Sequence, residues 1–530
     1  MMALVFASCA LGPAKVQAPE RAPGSIAEQT AGRADSEADA HSAADVHSKA
    51  DASRKLAKIK NIIVIYAENR SFDNLYGFFP GANGLENAMR EGQYLQVDHD
   101  GQAFKTLPYV QLEKDPEAQT DPIPRVRLPN KPFRIDAPPI NFPLSKATRD
   151  LVHRYYQAIE QINEGKMDRF VAVSNARALS MGYYDGSQMR MWQWASDYVL
   201  ADNFFMAAFG GSYLNHQWLI CACTPFDPTA PKDMRAKLDK HGKLRKVPGS
   251  PLSAMIGPPQ YMDGVLTPDG FSVNTHQPPY QPSDIPPAPG GDARLADPAK
   301  HPIIAQTNRT IGDTLSAKNI SWVWYAGGWN SALVDGMKDP KAQREVIYKV
   351  GPGAIDFQPH HQPFNYYKRF DPRDPKNPDR VNPERALHLK DGQDFFDALD
   401  RGTLPQVSFY KPEGILTMHA AYSDVHTGDL HLHETLERIK KSPQWQNTLV
   451  IVTYDDNGGF WDHVSPPKGD RWGPGTRLPL ILVSPLVKRG FVDHTQYDTT
   501  SIIKLITRRF DLEPLPGVRA AAGDFTGALQ

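Results

Sequence analysis

Short runs of β-branched and aliphatic residues alternate along this chain with longer stretches of helical periodicity. The strand-like runs are residues 62–66, 406–410, 448–454 and 478–483. The helical stretches include residues 151–165, 189–201 and 428–441. Continuous apolar runs are typical of strands buried on both faces, and parallel strands need crossover connections, usually helices. The alternation therefore favours a layered α/β fold.

Two proline-rich regions, at residues 107–144 and 224–307, interrupt this alternation. Loops of that length in a compact enzyme usually form lids, substrate walls or oligomer contacts. We expect one catalytic domain, residues 56–530, that carries both regions as insertions. Residues 19–55 contain almost no large apolar side chain and are predicted to be a disordered tether.

The first residues of the chain resemble an export signal. Residues 1–18 combine an apolar run with a small-residue ending, which is typical of a secretory signal segment. We therefore expect a periplasmic or secreted protein, with Cys9 as a candidate lipid anchor. No apolar run reaches the length of ~18 residues that a transmembrane helix needs.

Composition excludes several classes of protein. Among 530 residues, 59 Lys and Arg balance 60 Asp and Glu, so the chain as a whole has no general attraction for nucleic acid or anionic membranes. Three cysteines exclude a disulfide-dense scaffold and a four-thiolate zinc site. Cys221 and Cys223 are too close in sequence for an easy bridge and are predicted to be separate buried residues. Oligomeric state is left open.

Polar residues directly follow two of the strand-like runs. Glu68 and Asn69 come after the first run, and Asp455 and Asp456 come after residues 448–454. Ligands in open α/β sheets bind beyond the carboxyl ends of the strands. Two adjacent carboxylates repel each other, and a bound cation is the usual compensation. A simple turn is the alternative for this pair, because Asp and Asn are common in turns.

Ser212 follows two glycines and precedes a stretch compatible with a helix. This pattern places its hydroxyl at a helix N-terminus, where free N–H groups and the helix dipole favour an anion such as phosphate. An ordinary N-cap serine is the alternative. A hydroxyl beside a divalent cation loses its proton more easily and becomes a nucleophile.

Histidines are the fourth candidate group, and the chain has 17 of them. His360 and His361 stand in the segment HHQPFNYY, and His419 lies in a loop after residues 406–410. Imidazoles hold phosphate oxygens, donate protons to leaving groups or bind metals. A single histidine is more often structural, and we assign that role to His426, His431 and His433, which are spaced along a predicted helix.

Five segments taken together resemble the bacterial phosphoesterase family, which joins metal-dependent acid phosphatases and phospholipases C. The segments are NIIVIYAENRSFDNLYG, INEGKMDRF, FGGSYLNHQ, HHQPFNYY and TYDDNGGFWDHVSPP. The resemblance is closer to the acid phosphatase branch and implies an alkaline-phosphatase-like α/β fold, with a layered sheet flanked by helices. One departure is Met418-His419-Ala420, where the family usually has Glu-His-Pro.

The resemblance also implies roles for individual residues. The implied ligands of one divalent metal ion, of unspecified identity, are Glu68, Asn69, Ser212, Asp455 and Asp456. The implied catalytic residues are the nucleophile Ser212 and the histidines His360, His361 and His419. The implied substrate-binding residues are Asn69, His153, His360, His361 and His419. His463 follows the paired aspartates at a spacing that allows a further polar contact.

These observations predict a metal-dependent phosphomonoester hydrolase of the acid phosphatase type, with a phosphoseryl intermediate and a small phosphate ester as substrate. The alternative is a phospholipase C acting on phosphodiesters such as phosphatidylcholine. Four aromatic residues are candidates for a choline cage, with ordinary packing as their alternative role: Trp322, Trp324, Tyr366 and Tyr367. A sulfatase would need a Cys-x-Pro-x-Arg type of motif, which does not follow Ser212. A metal-stabilised binding protein with vestigial catalytic residues is the remaining alternative.

Overall fold

A central sheet of nine strands dominates the computed structural model, which describes residues 50–110, 126–351 and 353–530. The described strands are β1 (Asn61–Ala67), β2 (Phe133–Arg134), β3 (Gly182–Tyr183), β4 (Val199–Phe205), β5 (Trp322–Ala326), β6 (Arg373–Asp374), β7 (Asn377–Val381), β8 (Leu389–Asp391), β9 (Val407–Lys411), β10 (Thr448–Tyr454), β11 (Arg477–Val483), β12 (Phe491–Asp493) and β13 (Tyr497–Asp498). Strands β2 with β3, and β6 with β7, form two small separate sheets.

Helices connect the strands of the main sheet and flank it. The α-helices that follow β1 in the described residues are α1 (Phe72–Tyr76), α2 (Leu85–Glu91), α3 (Tyr155–Ile162), α4 (Phe170–Val173), α5 (Arg190–Asp197), α6 (Ser212–Cys221), α7 (Ile311–Ala317), α8 (Trp329–Gly336), α9 (Pro383–His388), α10 (Gly392–Asp400), α11 (Val425–Lys441) and α12 (Thr499–Phe510). The prediction of a layered α/β fold is confirmed.

The sheet is mixed in direction. Its order is β12-β4-β11-β10-β1-β9-β5-β8, with β13 also paired to β4. Strand β1 lies between β10 and β9 and is parallel to both. Strand β11 is antiparallel to both β10 and β4, so β4 runs in the same direction as β10. Every residue of β1, β10 and β11 is buried, as expected for central strands covered on both faces.

Two predicted helices are shorter in the structure, whereas the third is longer. The helix predicted at residues 189–201 ends at Asp197, and residues 199–201 already belong to β4. The helix predicted at residues 151–165 begins only at Tyr155, because the preceding segment is extended. The third helix starts at Val425, where the side chain of Asp424 caps it. Boundary errors of this kind arise because tertiary contacts decide where a helix ends.

The second proline-rich region contains little regular structure. Within residues 224–307 the regular structure consists of two 3-10 turns, Lys232–Met234 and Pro298–Lys300, and of isolated bridges. The described parts of the first insertion are residues 107–110 and 126–144, which contain β2. Its remaining residues, 111–125, lie outside the described part of the chain.

The prediction that Cys221 and Cys223 are separate buried residues is wrong. The two side chains form a disulfide, with their Cα atoms 5.1 Å apart. Cys221 is the last residue of α6, and Ala222 has a φ of 48° in the left-handed region, which turns the chain back on itself. This turn brings the Cα atoms within the usual range for a disulfide.

Residues Arg54–Gln530 form one compact unit. Residues 54–57 are helical and Leu56 is buried, so regular structure begins slightly before residue 56. The signal segment predicted at residues 1–18, the anchor predicted at Cys9 and residues 19–49 of the predicted tether lie outside the described residues. None of the described helices is both long enough and apolar enough to cross a membrane.

Candidate active site

The register of the central strands brings the predicted metal ligands to one edge of the sheet. Ala67 at the end of β1 pairs with Tyr454 at the end of β10, so Glu68 and Asp455 leave the sheet side by side. The backbone N–H of Asn69 donates to Asp455 Oδ1 at 3.2 Å. The parallel alignment of β1 and β10 is therefore the reason that residues almost 390 positions apart share one site.

Ser212 reaches the same edge from β4. Because β4 runs in the direction of β10, the segment that follows its carboxyl end lies near Asp455 and Asp456. Ser212 is the first residue of α6, and its Oγ lies 3.0 Å from Asp456 Oδ2 and 3.1 Å from Asn69 Oδ1. The serine hydroxyl thus meets a carboxylate and an amide oxygen at a helix N-terminus.

Gly211 is required by the close packing behind this serine. A Cβ at Gly211 would lie 2.7 Å from the backbone oxygen of His153 and 2.8 Å from its ring. The absence of a side chain therefore lets the His153 segment pass directly beside the nucleophile candidate. His153 Nε2 lies 3.2 Å from Asn69 Nδ2.

The paired aspartates are electrostatically unfavourable without a cation. Asp455 and Asp456 are fully buried. Burial raises the pKa of Asp455 well above its ordinary value, and the neighbouring Asp456 and Glu68 charges raise it further against the effect of Lys411. Burial also raises the pKa of Asp456, although His153 opposes this rise. A nearby positive charge would stabilise the ionised form of two buried carboxylates of this kind.

The donor set fits a divalent metal ion. Asp455 Oδ2 is buried and, among the described residues, has no hydrogen-bond partner. Its ion-pair contacts are longer than a hydrogen bond, at 3.6 Å to His216 Nδ1 and 3.8 Å to Lys411 Nζ. Carboxylate, amide and hydroxyl oxygens are the ligands that hard or borderline divalent ions prefer. Glu68, Asn69, Ser212, Asp455 and Asp456 therefore remain the candidate ligands, as the sequence predicts.

Lys411 is a charged residue of this site that the sequence analysis does not include. It is the last residue of β9, is completely buried, and places its Nζ 2.8 Å from Glu68 Oε1. Burial alone would raise the pKa of Glu68, but contact with His361 and the charge of Lys411 hold it well below its ordinary value. The signal was present in the sequence, since a lysine directly follows the strand-like residues 406–410.

Two further contacts were also missed. His216 lies one helical turn after Ser212, and its Nδ1 is 2.8 Å from the backbone oxygen of Ser212. The hydroxyl of Tyr422 donates to Glu68 Oε2 at 2.7 Å. The four-residue spacing on α6 could have indicated His216, whereas no local pattern connects Tyr422 with Glu68.

A cavity of about 380 Å³ opens above Ser212. Its lining includes Ser212, His153, His360, His419, Tyr422 and Asp150. Residues 273–275 of the second insertion form part of its wall. The lining of this cavity does not include His361, whose Nε2 lies 2.5 Å from Glu68 Oε1.

The histidines differ in their electrostatic surroundings. Burial lowers the pKa of His153, but the charges of Asp456 and Asp150 raise it to about 9. Burial lowers the pKa of His361 to about 4 and that of His360 well below its ordinary value. The surroundings therefore favour the neutral form of His360 and His361 and the protonated form of His153 beside the aspartates.

The other candidate residues take part in packing or in hydrogen bonds away from the cavity. The four aromatic residues proposed for a choline cage are buried among other side chains, with Trp324 stacked on Phe409. His431 lies 2.8 Å from the hydroxyl of Tyr410, and His433 bonds to Trp194, so both hold α11 against its neighbours. His463 is 2.6 Å from Asp73 Oδ2 in a buried network with Arg477 and does not line the cavity.

Comparison with known proteins identifies the family. A model described as the Phosphoesterase family matches residues 59–513. The chain belongs to the Phosphoesterase family. The resemblance stated from the five sequence segments is therefore confirmed at the level of the family.

Several relatives of this Phosphoesterase family member are phospholipases C. The chain is 24% identical to the non-hemolytic phospholipase C of Pseudomonas aeruginosa, covering 89% of this chain and 57% of the relative. It is 22% identical to phospholipase C B of Mycobacterium tuberculosis, covering 89% of this chain and 78% of the relative. It spans 35% of the length of the non-hemolytic phospholipase C of Burkholderia pseudomallei, at 28% identity over 42% of this chain.

Solved structures show a more distant likeness. A protein in the alkaline phosphatase superfamily from Vibrio parahaemolyticus matches with a TM-score of 0.30 and 11% identity. The match covers 75% of this chain and 76% of that protein.

Proposed function

We propose that this protein is a metal-dependent phosphoric ester hydrolase that uses Ser212 as its nucleophile and acts on phosphomonoesters. One observation carries the proposal: Ser212 Oγ lies at a helix N-terminus, 3.0 Å from Asp456 Oδ2, at a cavity lined by three histidines. The family membership supports phosphoester chemistry in general.

Ser212 is positioned to attack phosphorus. Its proton is shared with Asp456 Oδ2 or Asn69 Oδ1, both within hydrogen-bond distance. A divalent cation held by Glu68, Asn69, Ser212, Asp455 and Asp456 would lower the pKa of the serine hydroxyl and neutralise phosphate charge. Attack of Oγ on phosphorus forms a phosphoseryl group and breaks the bond to the leaving oxygen.

The surrounding groups stabilise the equatorial phosphate oxygens. The first N–H groups of α6 have no partner within the helix and point toward an anion at Ser212. His153 and the amide of Asn69 lie 3.2 Å apart at the same place and supply further donors. Preorganised donors of this kind account for much of the rate enhancement in phosphoryl transfer.

We assign protonation of the leaving alcohol to His419 rather than to His361. His419 and His360 line the cavity, whereas His361 faces Glu68 behind it. His361 is then a positioning residue for Glu68, which modifies the catalytic role that the resemblance implies. The same imidazole of His419 would activate the water that releases phosphate from Ser212.

Substrate preference separates the two candidate enzymes. The relatives named phospholipase C favour a phosphodiester substrate, and this is our second candidate function. The small cavity and the buried state of the four candidate cage aromatics favour phosphomonoesters. Parallel kinetics with p-nitrophenyl phosphate and p-nitrophenylphosphorylcholine decide between them: a higher kcat/KM for the second substrate would refute the monoester assignment.

The covalent route has its own test. Rapid acid quenching of the enzyme with a ³²P-labelled monoester should trap label on Ser212 of the wild type and none on the Ser212→Ala variant. Label on both proteins would exclude Ser212 as the labelled residue. Turnover without any trapped label under burst conditions would argue for direct attack by water.

We also propose that the protein is exported. Disulfides persist in oxidising compartments and are rare in the cytosol, so the Cys221–Cys223 bond supports export. Cell fractionation of the full-length chain should place it outside the cytosol, and a Cys9→Ala variant tests whether a lipid anchor retains it.

A further inference from the structure

Cationic side chains are concentrated in residues 237–260 of the second insertion, which we call the basic loop. The loop contains five Lys and Arg residues and one acidic residue, although the whole chain has a net charge of −1. Four of these cations are exposed: Lys237, Lys240, Lys243 and Arg245. None of the four forms a salt bridge with a carboxylate of the described residues.

The backbone of the basic loop holds these charges at a tight hairpin. Leu238 pairs with Leu244, and the backbone N–H of Asp239 donates to the oxygen of Lys243 at 2.8 Å. The backbone N–H of Arg245 donates to the oxygen of Lys237 at 2.9 Å. The cations therefore surround one ordered turn and are presented together.

Two aliphatic side chains of the same loop face solvent. Leu252 is 83% exposed and Ile256 is 74% exposed, the two highest values among the large hydrophobic residues that the structure describes. Ala254 between them is fully buried, and its N–H donates to Asp98 Oδ1 at 3.0 Å while Arg177 donates to its oxygen at 3.1 Å. The backbone at Ala254 is therefore fixed by hydrogen bonds. The side chains of Leu252 and Ile256 remain exposed to water, which costs hydration free energy.

The basic loop is continuous with the wall of the active-site cavity. Asp263 and Gly264 lie shortly after its last residue, and both accept hydrogen bonds from Arg154, at 2.5 Å and 3.1 Å. Arg154 lines the cavity, as do Asn274 and Thr275 a few residues further along the insertion. The basic loop and one wall of the active-site cavity are therefore parts of the same insertion.

We propose that the basic loop docks the protein onto an anionic lipid bilayer. Clustered Lys and Arg are attracted by anionic headgroups, and exposed Leu and Ile side chains insert at the boundary with the acyl chains. The loop contains no Phe, Tyr or Trp for base stacking, which argues against a single-stranded nucleic acid as its partner. Docking itself does not depend on catalysis, whereas delivery of lipid phosphomonoesters to Ser212 rests on the proposed function.

Vesicle flotation tests the proposal with the full-length protein, in wild-type and Ser212→Ala forms so that lipid hydrolysis cannot alter the vesicles. The wild type should bind vesicles of phosphatidylcholine with about one third phosphatidylglycerol at least about tenfold more tightly than pure phosphatidylcholine. Lys240→Gln/Lys243→Gln/Arg245→Gln should lower the partition coefficient by about a hundredfold. Leu252→Ser/Ile256→Ser should lower it by at least about tenfold.

Matched variants of other exposed side chains serve as controls. Lys300→Gln/Lys341→Gln/Lys376→Gln makes the same change in net charge, and Val334→Ser/Leu387→Ser removes two other exposed aliphatic side chains. Both controls should bind anionic vesicles like the wild type. Absence of wild-type binding, or equal losses in loop and control variants, would overturn the proposal.

Hydrolysis of soluble p-nitrophenyl phosphate by the same variants separates this inference from the proposed function. We expect the loop variants to keep wild-type turnover, which also shows that they fold. Turnover without vesicle binding would refute the docking proposal alone. Vesicle binding by a wild-type protein that shows no turnover would refute the enzymatic proposal alone. Capture of the loop by an acidic protein, with no binding to vesicles, would also overturn docking to lipid.

Discussion

Replacing Lys411 by Met should destabilise the protein strongly, because it leaves buried carboxylates without their nearest cation. Lys411 Nζ lies 2.8 Å from Glu68 Oε1 and 3.8 Å from Asp455 Oδ2, and all three side chains are completely buried. At an effective dielectric constant of about 20, the shorter contact corresponds to about 6 kcal/mol of Coulomb energy. The desolvation cost of burying the ammonium group offsets part of this energy.

The expected net loss is therefore about 3–5 kcal/mol in the free energy of unfolding, the usual range when one partner of a buried ion pair is removed. Urea unfolding followed by tryptophan fluorescence in the presence of EDTA measures it. Addition of a divalent cation should reduce the loss, because the ion would replace part of the missing positive charge. Lys441→Met, a change at an exposed lysine, is the control and should alter stability by less than about 0.5 kcal/mol.

A double variant checks the physical cause. Lys411→Met/Glu68→Gln removes the uncompensated carboxylate together with its cation, so it should be more stable than Lys411→Met alone. A loss below about 1 kcal/mol for the single variant, or additive losses in the double variant, would show that the charge of Lys411 does not stabilise Glu68.

Three further predictions concern the nucleophile, the metal and a buried ion network. Ser212→Ala should fold normally, with an unchanged circular dichroism spectrum, and lose at least about a thousandfold in kcat; comparable turnover would exclude the serine. EDTA should lower turnover by at least about a hundredfold, with recovery on adding a divalent ion; full activity in a preparation shown to be metal-free by elemental analysis would exclude the metal. Burial lowers the pKa of His463, but contact with Asp73 outweighs this effect and raises it. The pair therefore stabilises the fold fully below the unfolded histidine pKa of about 6.5. This contribution is lost as the pH rises through the pKa of His463 in the folded protein. His463→Gln should therefore reduce the free energy of unfolding more at pH 5.5 than at pH 9, and equal losses at both values would contradict this sign.

The sequence by itself determined the class of fold and most of the candidate site. Continuous apolar runs located β1, β10 and β11 because strands buried on both faces tolerate few polar residues. Polar residues that directly follow such strands, such as Glu68 and Asp455, could be assigned to one edge of the sheet from the general behaviour of α/β proteins. The glycines before Ser212 indicated a helix start, which the structure has at that residue.

Other features depended on contacts that no local pattern contains. The antiparallel placement of β11 between β10 and β4 determines that β4 delivers Ser212 to the aspartates. His360 and His361 are adjacent in sequence, yet one lines the cavity and the other contacts Glu68. The Cys221–Cys223 bond depends on the left-handed backbone at Ala222.

The difference between the features that the sequence predicts and those that depend on the tertiary structure has a physical origin. Strand and helix formation follow from side chains a few residues apart, so periodicity along the chain predicts them. The electrostatic state of Lys411, Glu68 and Asp455 depends on burial and on charges brought within about 4 Å by the packing of separate strands. Only the tertiary structure decides those distances.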